Sequence, residues 1–460
     1  MKTKFLGLIL SCSVSCFVSG KSELLVEAES FADLGGWVLD QQVMDQMGSA
    51  YLLAHGLGRP VKDATTTVEF PKTGEYRIWV RTRDWVGQWK TPETTPGMKA
   101  EGYPGKFQLW IDGKALKATF GTEKADWHWQ DGGTMHVRNK KVSLLLRDLT
   151  GFNGRCDAIY FSSDLKAIPS DDLAITQAMR NRLLGFSEAP SNGGDYDFIV
   201  VGGGVAGTCA AISAARHGVR VALIQNRPVL GGNNSSEVRV GLSGLIHQKP
   251  YPNLGNLVDE IGPIGHWNLW EANENPDTER SKHIFEVIEK HPEKKIHNGG
   301  PASNYEDQRK LDAARAEKNL SLFLNTHVYG AEMDGNRITA VTGLQLRTGE
   351  RIRFTGRLFA DCTGDGNLGA LANADYRVGR ESISETGEEL APEEADNLVM
   401  GTSVQWNSME EAEASSFPDC PWAVPFTADT CIADVKGDWD WETGQDRDQI
   451  HDFEHIRDYA

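Results

Sequence analysis

DFIVVGGGVAG, residues 197–207, has the clearest structural pattern in the chain. Its apolar opening, Asp197–Val201, is rich in β-branched side chains and suits a strand that is buried on both faces. A helix is predicted over 210–217 and a second strand over 219–225, which gives the strand–turn–helix–strand context of a dinucleotide-binding fold. The glycines between the first strand and the helix follow the spacing G-x-G-x-x-G and are Gly202, Gly204 and Gly207.

Each residue of this turn has a physical task in binding a dinucleotide. Gly202 permits the tight turn, Gly204 lets a pyrophosphate approach the backbone, and Gly207 lets the helix pack against the strand. The helix N-terminus, at Val205 and Ala206, then offers N–H groups and the positive end of its dipole to the phosphates. The sequence therefore predicts a Rossmann-type nucleotide site.

The residue at the end of the second strand departs from the usual pattern. Dinucleotide-binding folds place Asp or Glu here, where it accepts hydrogen bonds from ribose hydroxyls, whereas this chain has Gln225. Its carbonyl oxygen is still an acceptor, but it carries no charge. We therefore expect Gln225 and the adjacent Asn226 to contact the nucleotide, and this motif alone leaves the identity of the cofactor open.

Two further motifs favour FAD over NAD. Leu230–Ser236 follows the second strand closely and contains the pair Gly231-Gly232, with Ser235 and Ser236 behind it. Far downstream, Arg357–Gly366 is predicted to be a buried strand that runs into a Gly-rich turn. The cofactor-binding candidates in that turn are Thr363, Gly364 and Asp365.

Both motifs resemble nucleotide-contacting segments of the glutathione-reductase-like flavoproteins, and residues 195–460 as a whole resemble the bacterial secreted or envelope FAD-dependent oxidoreductases of that superfamily. The resemblance implies FAD as cofactor and a backbone contact between adenine and Val328, at the end of a strand predicted over 320–328. It also implies a β-hairpin insertion over 337–354. The superfamily usually closes with a late flavin-contacting segment; since none follows the helix predicted over 446–460, we expect this domain to be C-terminally incomplete.

The N-terminal part, residues 22–163, has the short alternating runs and turn signals of an all-β region. We therefore predict a multidomain chain, with an N-terminal all-β sandwich followed by an α/β Rossmann-type FAD-binding domain. The runs Leu25–Phe31 and Arg155–Tyr160 resemble those of the carbohydrate-binding-module β-sandwich superfamily. The resemblance implies a structural Ca²⁺ held by Glu27, Glu29 and Asp157; the alternative is a set of solvated edge charges.

Aromatic residues of this region are candidates for stacking on sugar rings. They are Trp85, Trp89, Trp127 and Trp129. The alternative is that the face shared by Trp127 and Trp129 belongs to the core. Residues 164–194 are predicted to be a linker, with a helix over 171–184 and a flexible joint over 187–194.

The first 20 residues have the pattern of a signal peptide, with Lys2 and Lys4 before an apolar stretch and small residues near position 20. The alternative is a short buried strand. We expect an exported protein, periplasmic, cell-surface or secreted, in which Cys420 and Cys431 are candidates to pair. No later segment approaches the ~20 apolar residues of a membrane span. The net charge of −18 argues against binding to nucleic acid or anionic lipid.

Two candidate catalytic residues follow the paired glycine. Arg239 is a candidate to stabilise an anionic reduced flavin or a substrate anion, and His247 to act as acid or base or to tether the flavin covalently. The alternative for each is a structural or exposed polar residue. The polar insertion over 248–304 is predicted to cap the substrate, and its candidate lining residues are His266, Trp267 and Trp270.

These features together predict an exported FAD-dependent oxidoreductase that acts on a small-molecule or glycan substrate, with a carbohydrate or carbohydrate-derived compound as the leading hypothesis. Two alternatives stay open. One is a glycan-binding protein with a catalytically inactive flavin fold, and the other is a flavin-dependent lyase or isomerase. The sequence does not identify the electron acceptor.

Overall fold

The computed structural model describes residues 21–90, 102–187, 189–243, 246–247, 249–399, 413–414, 416 and 420–423. The predicted signal peptide, the helix predicted over 446–460 and Cys431 lie outside these residues. Within the described part of the chain, no helix combines the length and apolarity needed to cross a bilayer.

The N-terminal region consists mainly of short antiparallel strands, as its alternating pattern predicts. In chain order the elements are β1 (Glu23–Glu27), β2 (Val38–Asp40), α1 (Met44–Met47), β3 (Tyr51–His55), β4 (Ala64–Glu69), β5 (Gly74–Thr82), β6 (Phe107–Ile111), β7 (Lys114–Ala115), β8 (His128–Val137), β9 (Lys141–Asp148), β10 (Phe152–Cys156) and β11 (Ala158–Ser162). They form sheets of order β1-β11-β5-β8, β10-β3-β2 and β4-β9-β6-β7. Alternate side chains, among them Leu52, Ile78 and Leu109, bury one shared core between the sheets.

The linker is more regular than expected. Helix α2 (Leu173–Leu184) begins where Oδ1 of Asp172 accepts a hydrogen bond from the N–H of Ile175 at 3.0 Å, which is an N-cap. The prediction of a flexible joint over 187–194 is wrong for its second half, because strand β12 (Ser191–Val201) starts within it. Backbone hydrogen bonds to a parallel neighbour hold this glycine-containing segment whatever its side chains are.

The C-terminal region is an α/β unit around one sheet. After β12 its elements are α3 (Val205–Arg216), β13 (Val221–Ile224), α4 (Gly255–Ile261), α5 (Leu269–Glu274), α6 (Glu279–Lys290), α7 (Asp307–Ala316), β14 (Leu320–Phe323), β15 (Thr326–Asp334), β16 (Arg337–Gln345), β17 (Arg351–Asp361), α8 (Asn367–Leu371) and α9 (Ile383–Thr386). The strand order is β14-β13-β12-β17-β16-β15. The insertion over 248–304 is thus largely helical.

Three details of this unit differ from prediction. The strand predicted over 320–328 is two strands, β14 and β15, because Asn325 breaks the run with a φ of 51°. The hairpin predicted over 337–354 is part of a meander. In it, β17 pairs with β16 and also with β12. The strand predicted within Arg357–Gly366, which is the end of β17, is only partly buried. Leu358 in it is 67% exposed in the described structure.

The middle of the sheet is buried on both faces. Val200 packs into one apolar cluster with Ile212 of α3, and the neighbouring Ile199 packs into another with Val341. Because β13 and β17 both run parallel to β12, the carboxyl ends of these strands meet at one edge of the sheet. The predicted glycine turns begin at that edge.

Candidate functional site

A cavity of about 570 Å³ opens where β12, β13 and β17 end, which is the edge at which open α/β sheets bind ligands. The predicted cofactor residues that line it are Gly202, Gly204, Val205, Ala206, Gln225, Asn226, Gly231, Gly232, Ser235, Val328, Thr363, Gly364 and Asp365. Gly207 and Ser236 do not line it. The structure therefore brings together motifs that lie far apart in the chain.

The G-x-G-x-x-G turn contains glycines of two kinds. A Cβ placed on Gly202 would lie 2.1 Å from the carbonyl oxygen of Cys362, and one placed on Gly207 would lie 1.9 Å from the carbonyl oxygen of Gly202. These two positions require glycine for packing. A Cβ placed on Gly204 would meet no atom within 4 Å, so the backbone at Gly204 borders open space on the cavity side.

Helix α3 begins at this open position. Gly204 is its N-cap residue and supplies no side-chain acceptor to the first turn, where a Ser, Thr, Asp or Asn side chain would supply a capping oxygen. The N–H groups of this turn, at Val205 and Ala206, border the cavity. Because such N–H groups and the helix dipole attract phosphate, the turn suits a pyrophosphate.

Gln225 has a role that the sequence interpretation missed. It is 4% exposed, its Oε1 accepts a hydrogen bond from the N–H of Gly203 at 2.7 Å, and its Nε2 donates to the carbonyl of Val229 at 3.2 Å. Both ends of the amide are thus bound to the backbone beside the cavity. We infer that Gln225 braces the glycine turn, and its contact with a ribose stays a prediction.

We expect Gln225→Leu to lower the free energy of unfolding by about 2 kcal/mol, because the N–H of Gly203 loses its buried acceptor. Gln225→Glu is the matched control, since it keeps an acceptor at the same position, and we expect it to be the more stable of the two variants. Denaturant unfolding of both variants beside the wild type measures the effect. A leucine variant as stable as the wild type would contradict the bracing role.

The paired-glycine loop is fixed from two sides. The N–H of Gly231 donates to the carbonyl of Gly203 at 2.9 Å and ties this loop to the first turn. Beneath it lies Lys310, whose Cε would be 2.8 Å from a Cβ on Gly231. Lys310 is fully buried, and burial lowers its pKa to about 8. No sequence pattern indicated this lysine, because a lysine on a helix is usually exposed.

The carboxylate of Asp361 organises the downstream turn. Its Oδ1 accepts from the N–H and the hydroxyl of Thr363 at 3.0 and 2.6 Å, and its Oδ2 accepts from the N–H of Gly369 at 2.8 Å. Burial favours the neutral acid, but these hydrogen bonds outweigh it and hold the pKa of Asp361 below its ordinary value. Asp361 therefore fixes the turn that presents Thr363 and Asp365 to the cavity.

Arg239 lies next to the cavity wall but does not line it. Its backbone has a φ of 62°, its Nε donates to the carbonyl of Ser236 at 2.9 Å, and its own carbonyl accepts from the N–H of Gly299 at 2.8 Å and from the hydroxyl of Tyr305. These contacts fix the path of the loop whose continuation, residues 240–243, lines the cavity. The catalytic role of Arg239 stays a prediction.

His247 belongs to a charged cluster that also does not line the cavity. Its Nε2 is 2.7 Å from Oδ2 of Asp259, and Arg280 donates to both oxygens of the same carboxylate, at 3.2 and 2.7 Å. Burial favours the neutral acid, but hydrogen bonds from Arg280 and His247 outweigh it and lower the pKa of Asp259. A carboxylate in this position orients the imidazole.

The tryptophans predicted to stack on sugars are packing residues. Trp85, Trp127 and Trp129 are 2%, 6% and 6% exposed, so the stacking prediction is wrong for these three. The alternative, that this face belongs to the core, is confirmed. Trp127 packs edge-on against Tyr51, with ring centres 5.0 Å apart. The side chain of Trp89 lies outside the described part of the structure.

The candidate lining residues of the predicted cap do not line the cavity either. Trp267 stacks on Tyr305 with ring centres 5.8 Å apart, and His266 packs edge-on against His297 at 4.8 Å. Trp270 is exposed. The helical insertion thus supports the loop at Arg239 through Tyr305, and a capping role stays a prediction.

The three predicted calcium ligands do come together, but oxygens of Glu27 and Asp157 are bound by other partners. Glu27, Glu29 and Asp157 are buried, with ligand atoms within 4.8 Å of one another. Two guanidinium groups enter this cluster, from Arg81 and Arg180. The cluster therefore does not fit a calcium ion, and the interpretation as solvated edge charges is also wrong, since the carboxylates are not solvated.

A comparison with protein-family models identifies most of the C-terminal region. The model described as FAD dependent oxidoreductase matches residues 197–458, which is more than half of the chain. A curated relative, the soluble pyridine nucleotide transhydrogenase of Chromohalobacter salexigens, is 41% identical over 54 residues. That match covers 12% of this chain and 12% of the relative.

Solved structures with local similarity include flavin enzymes and a carbohydrate-binding module. L-proline dehydrogenase from P. horikoshii is 16% identical, covering 42% of this chain and 59% of its own, with a TM-score of 0.25. The myxobacterial halogenase CndH is 17% identical over 36% of this chain and 37% of its own, with a TM-score of 0.23. A family 35 carbohydrate binding module from Clostridium thermocellum is 15% identical over 30% of this chain and 97% of its own, with a TM-score of 0.22. The family match, rather than these distant similarities, carries the assignment.

Proposed function

The chain belongs to the FAD dependent oxidoreductase family, and from this premise we propose that it oxidises a carbohydrate or carbohydrate-derived compound outside the cytoplasm, with FAD in the cavity at the carboxyl ends of β12, β13 and β17. The observation that carries the proposal is the convergence of three separate motifs on that cavity. The first is the turn at Gly204, the second is the loop at Gly231-Gly232 and the third is the turn at Thr363.

The residues of this cavity fit FAD in their chemistry. The open backbone at Gly204 and the N-terminus of α3 suit the pyrophosphate. Val328, near the start of β15, lines the same cavity and suits adenine through its backbone, and the loops at Gly232 and Thr363 suit the ribityl chain. When bound, FAD supplies the transfer of a hydride equivalent between substrate and acceptor.

His247, held by Asp259, is the proposed acid–base group of the reaction, which places the reacting substrate beside the charged cluster, outside the lining of the FAD cavity itself. Asp259 holds the ring by one nitrogen at 2.7 Å and is itself held by Arg280, so the imidazole has a fixed orientation. A histidine in this state takes the proton of a substrate hydroxyl when neutral and returns it when protonated. Oxidation of a sugar alcohol requires this proton transfer.

We expect His247→Gln to slow reduction of the bound flavin by substrate roughly 100-fold, because the proton acceptor is removed. Flavin content stays that of the wild type. Asp259→Asn keeps the imidazole but removes the carboxylate that orients it, so we expect a smaller loss of rate than in His247→Gln. Anaerobic stopped-flow absorbance measures both effects. The exposed His291→Gln is the control, and a glutamine variant at 247 with the wild-type rate would refute the assignment.

A groove on the N-terminal sheets supports a carbohydrate ligand. A cavity of about 460 Å³ is lined by Trp110, Ser143 and the threonines Thr65 and Thr67. Trp110 lies on the face of β6 opposite the core, since Leu109 and Ile111 on either side of it are buried in that core. An indole beside hydroxyl groups is the combination that contacts the apolar face and the hydroxyls of a sugar.

The pattern of residues 1–20 supports a location outside the cytoplasm. Cell fractionation of a producing strain, compared with a variant that lacks these residues, tests this part of the proposal. Recovery of both forms in the cytoplasm would contradict export.

The substrate class is tested by mixing the oxidised protein with neutral sugars, amino sugars and uronates without oxygen. We expect at least one saccharide to bleach the visible flavin absorbance. A flavin that dithionite reduces and no saccharide reduces would contradict the proposal. Product formed from a sugar without an electron acceptor would favour a lyase or isomerase, and binding to a glycan array by a protein that takes up no FAD would favour an inactive flavin fold.

A further inference from the structure

A buried cage of carboxylates lies where the linker helix α2 packs on the N-terminal sheets. Glu27 ends β1, Glu29 follows it in a short turn, and Asp157 lies between β10 and β11. We propose that the guanidinium of Arg180 takes the place of a metal ion in this cage, so that the N-terminal region needs no calcium, and that removal of Arg180 opens a latent divalent-cation site.

Arg180 reaches the cage from α2 and bonds to it in three directions. Its Nε donates to Oε1 of Glu27 at 2.7 Å, its Nη2 donates to Oδ2 of Asp157 at 2.6 Å, and its Nη1 donates to the carbonyl of Met47. The side chain is 3% exposed. A guanidinium is a rigid, permanently charged fork, and here its donors are directed at the oxygens that a metal ion would need.

Other donors also bind Asp157 inside the cage. Arg81 also donates to Oδ2 of Asp157, at 3.0 Å, and the hydroxyl of Ser49 donates to Oδ1 at 2.9 Å. Two guanidinium groups and a hydroxyl thus bind the carboxylate of Asp157, and a dication would have to displace these donors before it could bind.

The same cage becomes a cation site without Arg180. The carboxylates of Glu27, Glu29 and Asp157 and the carbonyl of Met47 are hard oxygen ligands, and calcium takes six to eight of these, some of them from water. Oε2 of Glu29 has no hydrogen-bond partner among the described residues. Arg180 belongs to α2, the helix of the linker. Its hydrogen bonds to the cage therefore also join this helix to the N-terminal sheets without calcium.

The test measures the Tm of the wild type and of Arg180→Met, which keeps the length of the side chain but not its charge. Each protein is measured in excess EGTA and in millimolar calcium chloride, the concentration range in which extracellular calcium modules bind. We expect the Tm of the wild type to be the same in both. The Tm of Arg180→Met rises by roughly 5 °C or more in calcium, and metal analysis finds bound calcium only in this variant. Arg180→Lys keeps a cation and stays insensitive, as does Arg182→Met, which removes only the exposed pair with Glu23.

Calcium bound to the purified wild type at one ion per chain, or a wild-type Tm that EGTA lowers, would overturn the proposal. A folded Arg180→Met protein that binds no calcium would overturn it as well. If this variant does not fold in EGTA, folding is attempted in calcium: recovery of folded protein supports the latent site, and failure to recover overturns it.

Discussion

Gly207→Val is expected to destabilise the nucleotide-binding domain by about 3 kcal/mol or more, which is the upper range for overpacking. A Cβ at this position would lie 1.9 Å from the carbonyl oxygen of Gly202. That atom belongs to the backbone at the end of β12, so it cannot move aside without breaking the turn. Thermal unfolding measures the effect, and a shift in Tm of roughly 10 °C is expected for a domain of this size.

The control for this prediction is Gly330→Val in β15. A Cβ there would meet its nearest atom at 3.8 Å, which is ordinary contact. We expect this variant to unfold within about 1 kcal/mol of the wild type. A Gly207→Val protein as stable as the Gly330 variant would show that the helix does not pack against the turn as described.

Gly204→Val is expected to leave the fold intact and to remove the cofactor. A Cβ on Gly204 would meet no atom within 4 Å, so the side chain has room in the apoprotein. It occupies the space through which a pyrophosphate approaches the backbone. We expect FAD to bind at least about 100-fold more weakly, which corresponds to roughly 2.8 kcal/mol.

Flavin fluorescence on titration of the apoprotein measures this affinity, and circular dichroism with thermal unfolding of the apoprotein measures the fold. Valine at position 204 is thus expected to lower the affinity for FAD and not the stability, whereas valine at position 207 is expected to lower the stability. Tight FAD binding by the Gly204 variant would contradict the position of the pyrophosphate.

Local sequence patterns predicted the elements that depend on neighbouring residues in the chain. The run Asp197–Val201 gave the central strand, the glycine spacing gave the turn, and the alternation of residues 22–163 gave antiparallel strands. The family match confirms the FAD-dependent class that the paired glycine and the downstream motif indicated. Each of these signals is contained in a short window of sequence.

Features that depend on partners distant in sequence were not predicted. The amide of Gln225 is oriented by Gly203, 22 positions away, and Arg180 fills a cage whose members Glu27 and Asp157 lie far apart in the sequence. The sequence shows which residues are polar, but not which of them meet when the sheets pack. For the same reason the buried tryptophans looked like loop residues, although Trp127 contacts Tyr51 across the core.

The visible absorbance spectrum of the purified protein, taken before and after acid precipitation and after incubation with FAD, shows whether the protein binds FAD. We expect a flavin band with about one FAD per chain in the wild type and no such band in Gly204→Val. Flavin that stays with the acid precipitate would show covalent attachment. A wild-type protein that is folded, colourless and unable to take up FAD would contradict FAD binding in the cavity at Gly204.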